Sequence, residues 1–441
     1  MRTTHLVILL SLIATPSFGQ TVPPDSSLSR IGLERAWIGQ ARVDPHRDRL
    51  THLTVDERYV YAQSSNGSMT AFDAENGERA WVVQLGPPNR TTFGAVSNAD
   101  LVLVVTGMTV YGVEKSSGHI LWTAKMPASA STSAYLDDEF FYIGTSDGSV
   151  YAFNMKVVAY TSRTGRLPGS FDPSTKEITS PIGPVAARNL YMWRYRTGRA
   201  LKLPPVLASE SILFGDSFGQ IYGVTSGTPE ELGGKLIFEF QAGDGQTNGM
   251  LSKGSIAYVS TGDGRIVAVD SGKGKVLWRY GLGHKIVGEP LMVDDKIYLT
   301  AETEGIIALD SKLGQQVMTP NGPWRIRGGI DFVGITKDRV FAVDRVGNLV
   351  AVDRETAGPR GSIPLVPYKI RIMNDLNDRL YLASHRGQIL CMRPINAEKP
   401  TFYRNADRTP IDPLLAEEKA AAAAAEGSET EAASEDAGRD N

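Results

Sequence analysis

The sequence predicts an all-β protein: an eight-bladed β-propeller of four-stranded blades, closed by an N-terminal strand in the last blade. Three observations predict it. Glycine and proline are abundant, 45 and 24 in 441 residues, which suits many short strands joined by tight turns. A glycine-centred strand–turn–strand unit recurs along most of the chain. A segment near the N-terminus matches the one strand that the last copy of that unit lacks.

In chain order, residues 1–19 read as a signal peptide. Arg2 supplies the positive start, Leu6–Ala14 (LVILLSLIA) is an apolar run too short to span a bilayer, and Ser17 and Gly19 are small residues placed for cleavage before Gln20. No cysteine follows that run, so no lipid anchor is expected, and no later stretch is long and apolar enough for a membrane span. The expectation is an exported, periplasmic protein, soluble once the peptide is removed. Residues 20–32 read as a linker and residues 33–395 as the propeller.

The clearest repeat, Ala257–Trp278 (AYVSTGDGRIVAVDSGKGKVLW), reads as strand, Gly-Asp-Gly turn, strand, second turn and strand. The same order returns at Val60–Trp81 and, more loosely, at Leu101–Trp122. Eight turn glycines align: Gly67, Gly107, Gly148, Gly219, Gly264, Gly305, Gly347 and Gly387, with spacings of 40, 41, 71, 45, 41, 42 and 40 residues. A four-stranded unit of that period marks a propeller blade. Asn66, Asp147 and Asp263 precede their glycines, giving the pairs that two-residue hairpins favour.

Four residues past most of these glycines stands a small side chain: Ala71, Ala152, Gly223, Ala268, Ala351 and Cys391, with Gly112 and Ala308 joining after a one-residue shift. A small residue at one strand position implies close packing on a neighbouring sheet. Cys391 is therefore read as a buried filler and not as a nucleophile. Two positions further come Asp73, Asp270, Asp310 and Asp353, with Asn154 and Glu114 at or near the same place. An Asp before a glycine-containing turn bonds nearby backbone amides, so these carboxylates are expected to maintain the blade. The outer strand carries Trp81, Trp122, Trp193 and Trp278, with Phe238 and Met318 at the matching place in weaker copies. Each large ring is expected to fill the wedge between blades.

The eighth copy, Arg379–Arg393, has its turn but no tryptophan strand, whereas Leu33–Trp37 (LERAW) matches Gly77–Trp81 (GERAW). Trp37 is thus expected on the outer strand of the eighth blade, which closes the ring and protects its edges. The 71-residue spacing marks an irregular insertion at about residues 155–189, dividing the third blade's turn from its Trp193 strand. Residues 396–441 are expected to leave the propeller as a disordered, Ala/Glu-rich acidic tail.

The unit in Tyr258–Trp278, with its Asp-Gly turn, Ala-x-Asp and outer Trp, resembles the pyrroloquinoline quinone (PQQ) repeat. That repeat builds the propellers of quinoprotein dehydrogenases and of the outer-membrane assembly factor BamB. The resemblance covers about residues 33–395. The dehydrogenase branch implies a vicinal disulfide and a Ca²⁺ site beside the quinone, and this chain has a single cysteine. The BamB branch implies a non-catalytic periplasmic scaffold without a cofactor. The chain departs from that branch in its insertion, its acidic tail and its lack of a lipid-anchor cysteine.

The residues offer little for catalysis. His46, His52, His119, His284 and His385 lie in different repeats without metal-ligand spacing, and the Gly262–Gly264 pair belongs to a hairpin with no helix after it. No metal and no cofactor are expected. The formal net charge is −3, but Ala416–Asn441 holds eight acidic and two basic residues, which leaves +2 for residues 20–415. That body lacks the concentrated basic charge of a nucleic-acid binder.

One constellation survives. The links from each outer strand to the next innermost strand bring Arg49, Arg90, Lys202, Lys285, Arg325, Arg327, Lys369 and Arg371 towards one mouth of the central channel. A basic funnel there would attract an anionic partner surface. The expected function is a monomeric, non-enzymatic envelope scaffold that binds envelope protein through this mouth. A PQQ-dependent oxidoreductase and an envelope glycan- or polymer-binding module stand as alternatives.

Overall fold

The computed structural model describes residues 22–168, 171–172, 177–178, 181–184, 190–227 and 233–403. The signal-peptide expectation and most of the tail expectation fall outside these residues. Eight four-stranded antiparallel sheets form the blades of a propeller. Blade 1 runs outward from Leu50–Val55 through Tyr59–Ser64 and Ser68–Asp73 to Arg79–Gln84. Blade 8 runs from Ile370–Arg371 through Leu380–Ala383 and Gln388–Pro394 to the N-terminal strand Leu33–Gln40. Leu33 faces Pro394 and Trp37 faces Cys391 across that closing pair.

The core lies between blades. Trp37, Tyr381, Ile389 and Cys391 of blade 8 pack with Leu53, Val60, Ala62 and Phe72 of blade 1, and comparable clusters join later neighbours. A middle strand therefore buries both faces, which explains why Tyr59–Ser64 and Leu101–Thr106 are buried at every position.

The repeat columns acquire physical roles. Small residues face the outer aromatic: Ala71 opposes Trp81, Gly112 opposes Trp122, Ala152 opposes Trp193, Ala268 opposes Trp278 and Gly223 opposes Phe238. The indole N–H of Trp37 donates to the Ala74 carbonyl at 2.9 Å, Trp81 to Lys115 at 2.9 Å, Trp193 to Ser226 at 3.1 Å and Trp278 to Ser311 at 3.0 Å. Each acceptor belongs to the following blade. Gly77 lies under Trp37 with φ +74°, and a Cβ there would sit 2.5 Å from the indole. The repeated carboxylates work within the blade. Asp73 accepts from the amides of Glu75 and Asn76, Asp270 from Gly272 and Lys273, Asp310 from Lys312 and Leu313, and Asp353 from Glu355 and Thr356.

Four expectations need correction. Met318 does not occupy the tryptophan place in blade 6; it is 68% exposed on a short hairpin, Met318–Thr319 with Gly322–Pro323. Trp324 takes that place, fully buried, and donates to the Arg354 carbonyl at 2.8 Å. The segment expected as a linker contains a helix, Asp25–Arg30, whose Leu28, with the adjoining Ile31, is buried against Ile363 and Leu365 of blade 7.

The insertion is not irregular at its start. Asn154, in the Asp column, caps the helix Met155–Thr164 by accepting from the Lys156 and Val157 amides. Val157 and Val158 of this helix join the cluster around Trp122. The tail expectation also fails at its first residues. Arg379 donates to the carbonyls of Ala397 and Glu398, Phe402 bridges Asn377, and the Tyr403 amide donates to the Leu376 carbonyl. Residues 396–403 are thus a strap on blade 8, and Arg354 of blade 7 lies over the Tyr403 ring.

Candidate functional site at the channel mouth

The links and the glycine turns share one face because they hydrogen-bond to each other. The Ser65 amide donates to the Arg49 carbonyl, Gly107 to Thr91, Ser146 to Ser129, Ser217 to Ala200, Gly262 to Gln246 and Glu302 to Lys285. In six blades, then, the link leading inward is tied to the turn of the blade it enters. This geometry carries the link cations to the same side of the ring.

The eight cations separate into two groups. Arg325 is not on a link; it belongs to the outermost strand of blade 6, Arg325–Ile326. Its Nη1 lies 2.8 Å from Glu304, which also stands 3.8 Å from His284 Nε2. Arg371 sits on the innermost strand of blade 8 and is paired with Asp331 of blade 7. These two charges are neutralised where they stand. Lys202 donates to the Gln246 side-chain carbonyl at 2.9 Å and stays exposed. Arg49, Arg90, Lys285, Arg327 and Lys369 are exposed, with no ion pair among the described residues. Glu304 and Asp331 escaped the sequence reading because neither lies at a spacing that marks it as a partner.

The same face carries apolar side chains that the sequence reading missed. Phe218 is 60% exposed, Val346 84%, Val366 67% and Met108 46%. Arg199 lies over Phe218, with the guanidinium carbon 4.8 Å from the ring centroid, and its Nη1 is 3.5 Å from the buried Asp216. The signal was available: Phe218 and Val346 precede turn glycines, where other repeats hold Asn66, Asp147 or Asp263.

The remaining features lead elsewhere. Among the described residues, no three His, Cys, Asp or Glu side chains gather where they could hold a metal ion. Burial raises the Cys391 thiol well above its ordinary range and lowers His52. A cleft of about 410 Å³ opens beside Asp295, Lys296, Asp310, Leu313, Gln316 and Met318. Its Asp295 already holds Lys253 at 2.8 Å and Lys312 at 2.7 Å. No helix among the described residues is long and apolar enough to cross a membrane.

A family model described as outer membrane protein assembly factor BamB matches residues 37–192 and 156–416. The chain is 22% identical over 277 residues to outer membrane protein assembly factor BamB of Moranella endobia, covering 56% of this chain and 71% of that one. It is 22% identical over 273 residues to tetrathionate hydrolase of Acidithiobacillus ferrooxidans, covering 58% of this chain and 50% of that protein, so it spans about half of that relative's length. The crystal structure of BamB from Moraxella catarrhalis matches with a TM-score of 0.58 at 13% identity, covering 82% of this chain and 98% of that one. A computationally designed protein matches with a TM-score of 0.58 at 12% identity, covering 80% and 98%. At these identities the solved structures speak to the fold alone.

Proposed function

The chain belongs to the family of the outer membrane protein assembly factor BamB, and from that membership we propose that it is a non-catalytic binding scaffold of the cell envelope. It engages a protein partner through the glycine-turn face and the cationic channel mouth. The observation that supports this most directly is the set Arg49, Arg90, Lys285, Arg327 and Lys369, exposed on one face without an acid partner among the described residues. The ring holds these charges at fixed separations, and the low-dielectric wall of the channel concentrates their field. The partner's contact surface is anionic on this reading. The propeller fold does not choose the function by itself, so the weight rests on family and face together.

The test is a cross-linking pull-down from an envelope extract, followed by mass spectrometry. Recovery of one specific envelope protein, cross-linked near Arg90, Arg327 or Lys369, is the expected result. An unchanged yield from the triple variant Arg90→Ala, Arg327→Ala, Lys369→Ala would overturn the assignment of the face.

A second reading, an enzyme built on the same propeller, is favoured by the similarity to tetrathionate hydrolase. Consumption of tetrathionate by the purified protein would move the assignment there.

A further inference from the structure

We propose that the glycine-turn face docks on an anionic lipid surface, its apolar turn tips entering the headgroup layer and its cations facing lipid phosphates. This goes beyond the scaffold reading: it shares the exposed cations of that reading and adds an observation that the reading does not use, the apolar tips.

The tips do not hold their turns together; Phe218 only carries the Arg199 guanidinium over its ring. In blades 1, 3 and 5 the residue before the turn glycine serves the turn. Asn66 accepts from the Ser68 amide at 2.8 Å, Asp147 from the Ser149 amide at 3.2 Å and Asp263 from the Thr261 hydroxyl at 2.5 Å. In blades 4 and 7 that duty moves two residues back. Asp216 accepts from the amides of Phe218 and Gln220 at 2.8 and 3.1 Å. Asp344 accepts from Val346 and Asn348 at 2.9 and 2.8 Å. The side chains of Phe218 and Val346 are thereby released into solvent, 60% and 84% exposed. Met108 stands at the blade 2 turn, and Val366 at the corner of a turn closed by the Tyr368 amide on the Leu365 carbonyl.

Two features choose a lipid surface as the occupant. The first is distribution: the tips come from blades 2, 4 and 7 and from the link into blade 8, so they are spread round the ring. A planar surface meets all of them at once, whereas a protein of ordinary size covers one sector. The second is charge. Arg42, Arg47, Arg345 and Arg386 are exposed on this face besides the five link cations. Several acids there are already engaged: Glu304 with Arg325, Asp331 with Arg371, and Asp244 and Asp263 with Arg265. Asp44, Asp147, Glu289 and Glu302 are also exposed and remain fewer than the cations. Apolar side chains flanked by Lys and Arg are the composition of an interfacial anchor.

The test is co-sedimentation of the purified protein with phosphatidylglycerol/phosphatidylcholine vesicles against pure phosphatidylcholine vesicles. Binding to the anionic vesicles alone, weakening as salt is raised, is expected. The double variant Phe218→Ser, Val346→Ser should lose binding while keeping its thermal melting curve. Removing Arg327 and Lys369 should weaken the partition by about fivefold per cation. No binding to anionic vesicles at low salt sinks the proposal. So does binding that ignores the tip substitutions, which would be charge attraction alone. Cross-linking of the tips to an envelope protein, without vesicle binding, would give the face to a protein instead. The assay contains no protein partner, so its failure leaves the scaffold reading standing.

Discussion

Trp37 and Cys391 are direct partners across the strand pair that closes the ring. Their contact joins the first and last strands of the propeller, and both residues are buried. The Cys391 thiol should therefore resist alkylation in the native protein at mildly alkaline pH and react fully in denaturant. Cys391→Ala should cost about 1 kcal/mol or less, because other blades use Ala at this place, whereas Cys391→Leu should cost about 1–3 kcal/mol by overpacking. Urea unfolding of the two variants distinguishes a filler from a functional thiol.

Trp37 contributes area and one hydrogen bond, and two variants separate them. Trp37→Phe should cost about 1 kcal/mol beyond its packing loss, since the Ala74 carbonyl loses its donor at 2.9 Å and keeps only the Tyr381 hydroxyl at 3.5 Å. Trp37→Ala should cost about 3–5 kcal/mol. Equal urea midpoints for the two variants would show that the indole N–H carries the whole effect.

Gly77 and Gly254 both have positive φ, +74° and +60°, but only Gly77 lies beneath an indole. Gly254→Ala should cost about 1–2 kcal/mol, the backbone penalty alone. Gly77→Ala adds a collision with Trp37 and should cost about 2–4 kcal/mol. Parallel thermal melts check the difference.

Arg325 and Arg327 stand two residues apart in different electrostatic circumstances. Arg327→Ala should weaken partner binding and lower its salt dependence, with little change in stability. Arg325→Ala should alter stability more, because Glu304 loses its partner at 2.8 Å. Binding isotherms at two salt concentrations, with melts of both variants, check this.

Acid should destabilise the turns. Burial works against ionisation of Asp147, Asp263 and Asp344, but hydrogen bonds from their own turns outweigh it and hold each carboxyl below 3.8. A folded-state value below the unfolded one gives stability that is present above about pH 4 and lost as pH falls through the folded value. The urea midpoint should fall between about pH 5 and about pH 3, and Asp263→Asn with Asp344→Asn should flatten that slope.

The blades were legible because turn glycine, small residue and tryptophan recur at fixed offsets. Reading failed in blade 6 because the excursion from Met318 to Pro323 separates Val317 from Trp324. Val317 still pairs with Ala308, and the Trp324 amide donates to the Val317 carbonyl, so the outer strand resumes after the detour. Counting along the chain cannot see a strand that leaves and returns. The helix after Asn154 was obscured by the proline and glycine that follow Gly165, although Asn154 followed by Val157, Val158 and Thr161 gives a cap and a buried helical face.

The channel mouth was legible in part. The repeat order places the links, and hence their cations, on one side. Whether a cation is free depends on acids supplied by turns and neighbouring blades, such as Glu304 for Arg325 and Asp331 for Arg371. The first pairing lies within blade 6 and the second joins blades 7 and 8, and neither leaves a periodic trace.

The pairing of Leu33–Gln40 with Gln388–Pro394 also sets an order of events in time. During synthesis the first strand of the propeller is made long before the last, and its partner is the final strand to appear. Seven blades complete themselves locally while Trp37 waits for Cys391. The entropy of drawing such distant segments together grows only with the logarithm of their separation, so the late step is affordable. A chain stopped before Gln388 is left with unpaired strand edges and an uncovered Trp37, the state that proteases and chaperones recognise. Closure thus doubles as a check that the whole propeller has been made.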